Sequence, residues 1–299
     1  MEGCFNSLRI GAAVFIVLST FAILPALATA QPGAAVTFIE MVQTKTANRG
    51  LCKKSAACIC SIAEEAVASR LLSEYGALFA AIETVKLPGR CIFENGSQVT
   101  EFQKGTRSRS EILSGVTVEL QEEAMLALLS ARFDAGKIGL QITPLDGSIA
   151  GKRTYSDTVR IWNSRYFKAL DHWNRLGKIS NDDARAARGD NVINQIRKVV
   201  KWERSGLNFG TNLKGSIFSS TAPPGASQHL SMLAFDVVQY FNRKIRAIMN
   251  QHGWFQTVVN DAPHFTYLGF PESRLKSKGL QMIKAGGYEY WVPLIQEAP

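Results

Sequence analysis

An α+β fold is predicted by two local patterns that occupy different stretches of the 299-residue chain. Apolar residues recur three and four apart over residues 61–85, in the segment opened by Thr117 and through much of residues 156–204, as amphipathic helices require. Shorter runs alternate apolar with other residues over 138–143, 255–259 and 264–268, as strands do. Helices and short strands in separate stretches belong to the α+β class rather than to a regular βαβ alternation.

The composition is 46% hydrophobic and 20% charged, enough apolar matter to bury a substantial core and too much for a disordered chain. A formal charge of +9 favours anionic surroundings such as a cell-wall polymer. No Lys/Arg block is interleaved with aromatics, so nucleic acid is not expected as a partner.

Residues 1–30 read as an export signal: Arg9 precedes an apolar run over residues 10–27, and Ala28-Thr29-Ala30 supplies the small residues of a cleavage site. No stable membrane span is expected after cleavage, and the remainder is expected outside the cytoplasm. Removal of Cys4 leaves Cys52, Cys58, Cys60 and Cys91, an even number in an oxidising compartment, so disulfides are expected. Cys58 and Cys60 are too close to bridge each other. Each reaches Cys52 or Cys91, and both arrangements stay open.

Residues 31–110 form a helical N-terminal region with those four cysteines, stapled if Cys91 bridges back to the 52–60 cluster. Val67, Leu71, Tyr75, Leu78 and Ile82 give its helix one buried face, and Pro88-Gly89 stops the chain before Cys91. Residues 105–110 read as a polar linker, and residues 111–299 as a second domain. There Thr117 is expected to cap a helix carrying Leu120, Ala124 and Leu128, ended by Gly136-Lys137. After the 138–143 strand comes Ala150-Gly151-Lys152-Arg153-Thr154-Tyr155. Residues 156–204 are helical, with a helix start at Ser180, and His172 reads as a packed or surface helix residue. Residues 206–215 read as loops, in which Lys214 is a cationic candidate. Val238, Phe241, Ile245 and Ile248 mark the inner face of a helix ended by His252-Gly253. Residues 286–291 read as a last strand closing the sheet.

Two stretches carry chemistry. Residues 222–236, APPGASQHLSMLAFD, offer His229 and Asp236; residues 260–269, NDAPHFTYLG, offer Asp261 and His264. Two imidazoles, a ligating carboxylate and a spare carboxylate are the parts of a catalytic zinc site, because zinc takes three N/O ligands and keeps a fourth position for water.

Ser227, His229, Ala234 and Asp236 resemble the S-x-H-x-x-G-x-A-x-D signature of zinc D-Ala-D-Ala carboxypeptidases of the VanY type, the LAS-type metallopeptidases. Asp261 to His264 resembles their E-x-x-H, the APPG run is similar to theirs, and residues 150–155 are similar to their S-G-Y-R-S run. The resemblance implies a small antiparallel sheet with flanking helices around a zinc site. It implies that His229, Asp236 and His264 bind Zn2+ and that Asp261 is the general base. It also implies that Arg153 takes the terminal carboxylate of a peptidoglycan stem peptide, with Ser227 helping to orient the site by hydrogen bonding. The chain departs from the pattern at Met232, where the family has Gly, and at Asp261, where it has Glu. These departures set a non-catalytic cell-wall-binding protein, and also a murein endopeptidase, beside the carboxypeptidase reading.

Overall fold

The computed structural model describes residues 37–45, 55–60 and 62–295, together with Met1 and Gly3. The segment expected to be an export signal, apart from Met1 and Gly3, and Cys52 lie outside the described residues. No helix among the described residues is long and apolar enough to cross a membrane.

The N-terminal part contributes α1 (Phe38–Lys45), α2 (Ala56–Cys60), α3 (Glu65–Tyr75) and α4 (Gly96–Lys104). The helix expected over residues 61–85 is therefore shorter. At Gly76 it tightens into a 3-10 turn, Gly76–Ala80, whose residues are all buried. Its apolar face is as expected, with Val67, Leu71, Tyr75 and Leu78 buried. Cys60 is bridged to Cys91, which settles one of the two open arrangements, and Cys58 is also disulfide-bonded.

β1 (Ser108–Leu113) and β2 (Val116–Gln121) form an antiparallel hairpin. This corrects two expectations: the polar 105–110 segment runs into β1, and Thr117 starts no helix. Val116, Val118 and Leu120 alternate, and Ser114 and Gly115 both have positive φ, as a two-residue hairpin turn requires. The spacing of Leu120 to Ala124 mimics a helical turn across the strand–helix junction. The helix, α5 (Glu122–Lys137), begins one turn later.

Residues 138–143 are not a strand either; Ile138 and Gly139 form a turn, and the segment leads to Pro144, which makes an isolated bridge to Val237. The helical block that follows resolves into α6 (Tyr155–Arg175), α7 (Asn181–Gly189) and α8 (Val192–Arg204). Thr154 starts α6 with a capping box and Ser180 caps α7 through Asp183 N.

The central sheet consists of β3 (Ala234–Asp236), β4 (Trp254–Gln256) and β5 (His264–Tyr267) in the order β3-β5-β4, all antiparallel. Between β3 and β4 lies α9 (Arg243–Gln251), which buries Ile245 and Ile248 as expected, whereas Phe241 and Val238 are exposed because the helix starts only after them. β6 (Leu280–Ala285) and β7 (Tyr288–Pro293) pair with each other. The C-terminal strand thus completes a hairpin of its own instead of closing the central sheet.

The described residues from 37 to 295 belong to one compact unit with a core that runs from Phe38 to Trp291. The chain is therefore an α+β fold with small antiparallel sheets and flanking helices, and with a disulfide near its N-terminal end.

Candidate metal centre

Register places the first pair of polar side chains. In the β3–β5 ladder Asp236 lies directly opposite His264, so the two project from neighbouring strands at cross-strand distance. His229 arrives from a 3-10 turn, Gln228–Ser231, between the APPG run and β3. The run itself is fixed by close backbone contact: Gly225 has φ of +88°, and a Cβ there would meet the Phe93 carbonyl at 1.9 Å. Only glycine fits, and Phe93 N donates to Gly225 O at 2.9 Å.

Met232 ends the turn in the left-handed region, with φ of +55° and ψ of 31°. The bend that glycine would make freely is therefore kept by a residue with a side chain, at a cost of about 1–2 kcal/mol. That side chain is fully buried. Met232→Gly would relieve the backbone but forfeit the packing of a buried methionine, about 2–5 kcal/mol. A net loss of about 1–3 kcal/mol is expected in denaturant titration.

His229 Nε2, His264 Nδ1 and Asp236 Oδ1 form a triangle with sides of 3.1, 3.2 and 3.3 Å. All three residues are buried. Ligands about 2.0–2.2 Å from a tetrahedral zinc ion stand about 3.3–3.6 Å apart, so the triangle is slightly smaller than one face of such a site.

The hydrogen-bond partners of the outer ring nitrogens assign the lone pairs. His229 Nδ1 lies 2.7 Å from the Gly151 carbonyl, an acceptor only, so it carries the proton and Nε2 is bare. His264 Nε2 donates to Gln228 Oε1 at 2.8 Å, which leaves Nδ1 bare. Gln228 is itself oriented, since its Nε2 donates to Tyr75 O at 2.9 Å and its Oε1 accepts from Thr266 Oγ1 at 2.5 Å. Two imidazole lone pairs and a carboxylate oxygen thus face one another at close range with no ring N–H between them, an arrangement that a cation relieves. Fixing the outer nitrogen of each ligating histidine on a carbonyl oxygen is the usual device of metal sites. Gln228→Ala is expected to weaken zinc affinity about ten- to a hundredfold in a chelator competition.

Electrostatics agree with this chemistry. Burial, with Arg153 next, pushes the pKa of His229 down to about 4, so the ring is neutral at pH 7, as a ligand must be. Burial works against ionisation of Asp236. The guanidinium of Arg153, paired with its Oδ2, favours the carboxylate form. Arg153 Nη2 pairs with Asp236 Oδ2 at 2.5 Å and its Nε donates to Ile149 O, so the guanidinium is locked beside the cluster.

Asp261 lies in the same cleft, a hollow of about 460 Å3 that Ser227, Arg153 and the three clustered side chains also line. It follows Asn260, whose φ of +66° turns the chain tightly before β5, and its carbonyl accepts from His264 N at 3.1 Å. Its carboxylate makes no side-chain hydrogen bond among the described residues. Burial raises its pKa to about 6.

The other candidates lie elsewhere. His172 packs edge-on against Trp173 in α6, and His252 follows α9 and reaches Asp134 Oδ2 at 2.9 Å. Lys214 is exposed and does not line the cleft. Sequence reasoning missed Gln228, Thr266, Tyr75 and the Gly151 carbonyl, which orient the histidines. Gln228 stood inside the motif, one residue before His229, and its amide was the available signal. The Gly151 contact depends on close packing: a Cβ there would lie 2.7 Å from Val118 Cγ1, so its backbone reaches the histidine only because β2 passes beside it.

The site defines a class of protein, an α+β chain with a buried His/Asp/His cluster that could hold a divalent metal, with the Asp261 carboxylate in the same cleft. Comparison of the chain with protein-family models, with curated proteins and with solved structures gives no match.

Proposed function

We propose that the chain is a zinc-dependent peptide hydrolase, a D-alanyl-D-alanine carboxypeptidase-like enzyme that acts on peptidoglycan stem peptides outside the cytoplasm. The observation that carries this reading is the convergence of three unprotonated ligand atoms at 3.1–3.3 Å next to the free carboxylate of Asp261. Zinc held by His229, Asp236 and His264 would supply the positive charge that polarises a carbonyl and acidifies a water molecule near neutral pH.

The chain's own groups supply the rest. Asp261, with a pKa of about 6, is ionised at pH 7 yet basic enough to take a proton from water and return it to the leaving amine. Arg153 orients Asp236, and the part of its guanidinium not held by Asp236 and Ile149 faces a carboxylate of the substrate. Ser227 sits in the wall of the same cleft, where its hydroxyl can hold the substrate backbone. The export signal and the positive charge of the chain support an anionic wall polymer as the substrate's source.

Zinc content and D-Ala release from acyl-D-Ala-D-Ala peptides test the proposal. One zinc per chain with release supports it. Stoichiometric zinc with no release from any stem peptide would reduce the protein to a wall-binding relative, and cleavage at internal bonds alone would make it an endopeptidase.

A further inference from the structure

The cleft holds a second guanidinium that the proposed chemistry does not use. Arg165, on α6, lines the cleft and also a second pocket with Lys168 and the 210–213 loop. Three arginines line this cleft, and two have carboxylate partners: Arg153 pairs with Asp236, and Arg160 pairs with Asp157. Arg165 has no carboxylate partner among the described residues. Its Nη1 meets only Ser164 Oγ at 3.1 Å, and its Nε is buried with no acceptor at all.

A buried N–H without an acceptor costs about 1–3 kcal/mol, which an acceptor brought by a ligand would relieve. A carboxylate engages arginine through two parallel N–H bonds, for which Nε and one Nη are a matching edge. Presenting that edge takes a side-chain rotation of the kind that commonly accompanies binding. On this geometry, and resting on the peptide-hydrolase reading above, we infer that Arg165 forms an anion subsite that takes a carboxylate of the peptide substrate, separate from the groups that Arg153 serves. It is the carboxylate that Arg153 does not take: an acidic side chain of the peptide where Arg153 holds the C-terminus, or the C-terminus where Arg153 holds the side chain.

Calorimetric binding of three peptides of equal length to the full chain tests this. One is acidic at both C-terminus and side chain, one is amidated at the C-terminus, and one has Gln in place of Glu. The wild type is expected to prefer the doubly acidic peptide. Arg165→Ala is expected to lose about ten- to a hundredfold in affinity for it, and Arg165→Lys less, since lysine keeps the charge without the paired donors. Whichever of the two neutralised peptides, the amidated or the Gln one, Arg165→Ala no longer distinguishes from the doubly acidic peptide identifies which carboxylate the subsite takes. Equal weakening of all three peptides, or no weakening of any, would overturn the inference. Thermal melting of both variants checks that they fold. Zinc content and hydrolysis measured on the same samples keep the two proposals apart: an Arg165-dependent preference in a protein that cleaves nothing would leave the subsite standing and remove the hydrolase.

Discussion

Asp261→Asn is expected to lower the rate of peptide hydrolysis about 10²–10⁴-fold, the usual contribution of a general base, while zinc content stays at one per chain. Asn keeps the shape and removes the basic oxygen, so loss of turnover without loss of metal isolates the proton-transfer role. The wild-type pH profile carries its own signature. kcat/KM is expected to show an acid limb at or below about 6, the metal-free value, because a neighbouring zinc ion favours the ionised carboxylate, and that limb is expected to vanish from the residual activity of the variant. Stability should move the opposite way. The folded pKa of about 6 lies above the ordinary value of 3.8, so the folded state holds this proton more tightly than the unfolded chain does. Its contribution to stability is present at low pH and is lost as pH rises through about 6. The metal-free variant, relieved of that charge, is expected to be more stable than metal-free wild type at pH 8 by about 1–2 kcal/mol, a figure discounted for the partial exposure of the carboxylate. A destabilised variant with intact pH dependence would contradict the assignment.

The second large effect concerns the ligands. A ligand bound only to the folded state stabilises it by about 4 kcal/mol at a thousand times its dissociation constant. Zinc is expected to raise the melting temperature of the wild type accordingly and to leave His229→Ala and His264→Ala unshifted. The two variants are expected to differ when metal-free. Removing the His229 ring leaves the Gly151 carbonyl without its donor, whereas removing the His264 ring leaves Gln228 Oε1 still bonded to Thr266. His229→Ala is therefore expected to be the less stable of the pair by calorimetry.

Much of the site was legible in the sequence because its chemistry is local. His229 and Asp236 lie within one short segment, and Asp261 and His264 within another. The order of elements after Asp236, a helix and two strands, followed from period and from the break at Gly253. The 105–121 stretch failed for a definable reason. Its charged strand β1 lacks an apolar face, since Arg109 and Glu111 fill positions that alternation would mark, and only its pairing with β2 makes it a strand. The 138–143 run failed the other way: it alternates correctly but finds no ladder partner beyond the single bridge at Pro144. Tertiary pairing decides such segments, and periodicity does not record it. The consequence of Met232 could not be read from its side chain, because the left-handed backbone is imposed by the turn that delivers His229. The Gln228 amide and the Gly151 carbonyl act through contacts between residues 78 positions apart or joined through three elements, which no spacing rule registers.

X-ray absorption at the zinc edge of the full chain tests the central claim most directly. One zinc per chain, ligated by two imidazole nitrogens and a carboxylate oxygen at about 2.0–2.2 Å and lost in His264→Ala, is the predicted result. Absence of stoichiometric zinc, or a shell that keeps both imidazoles after His264 is removed, would contradict it.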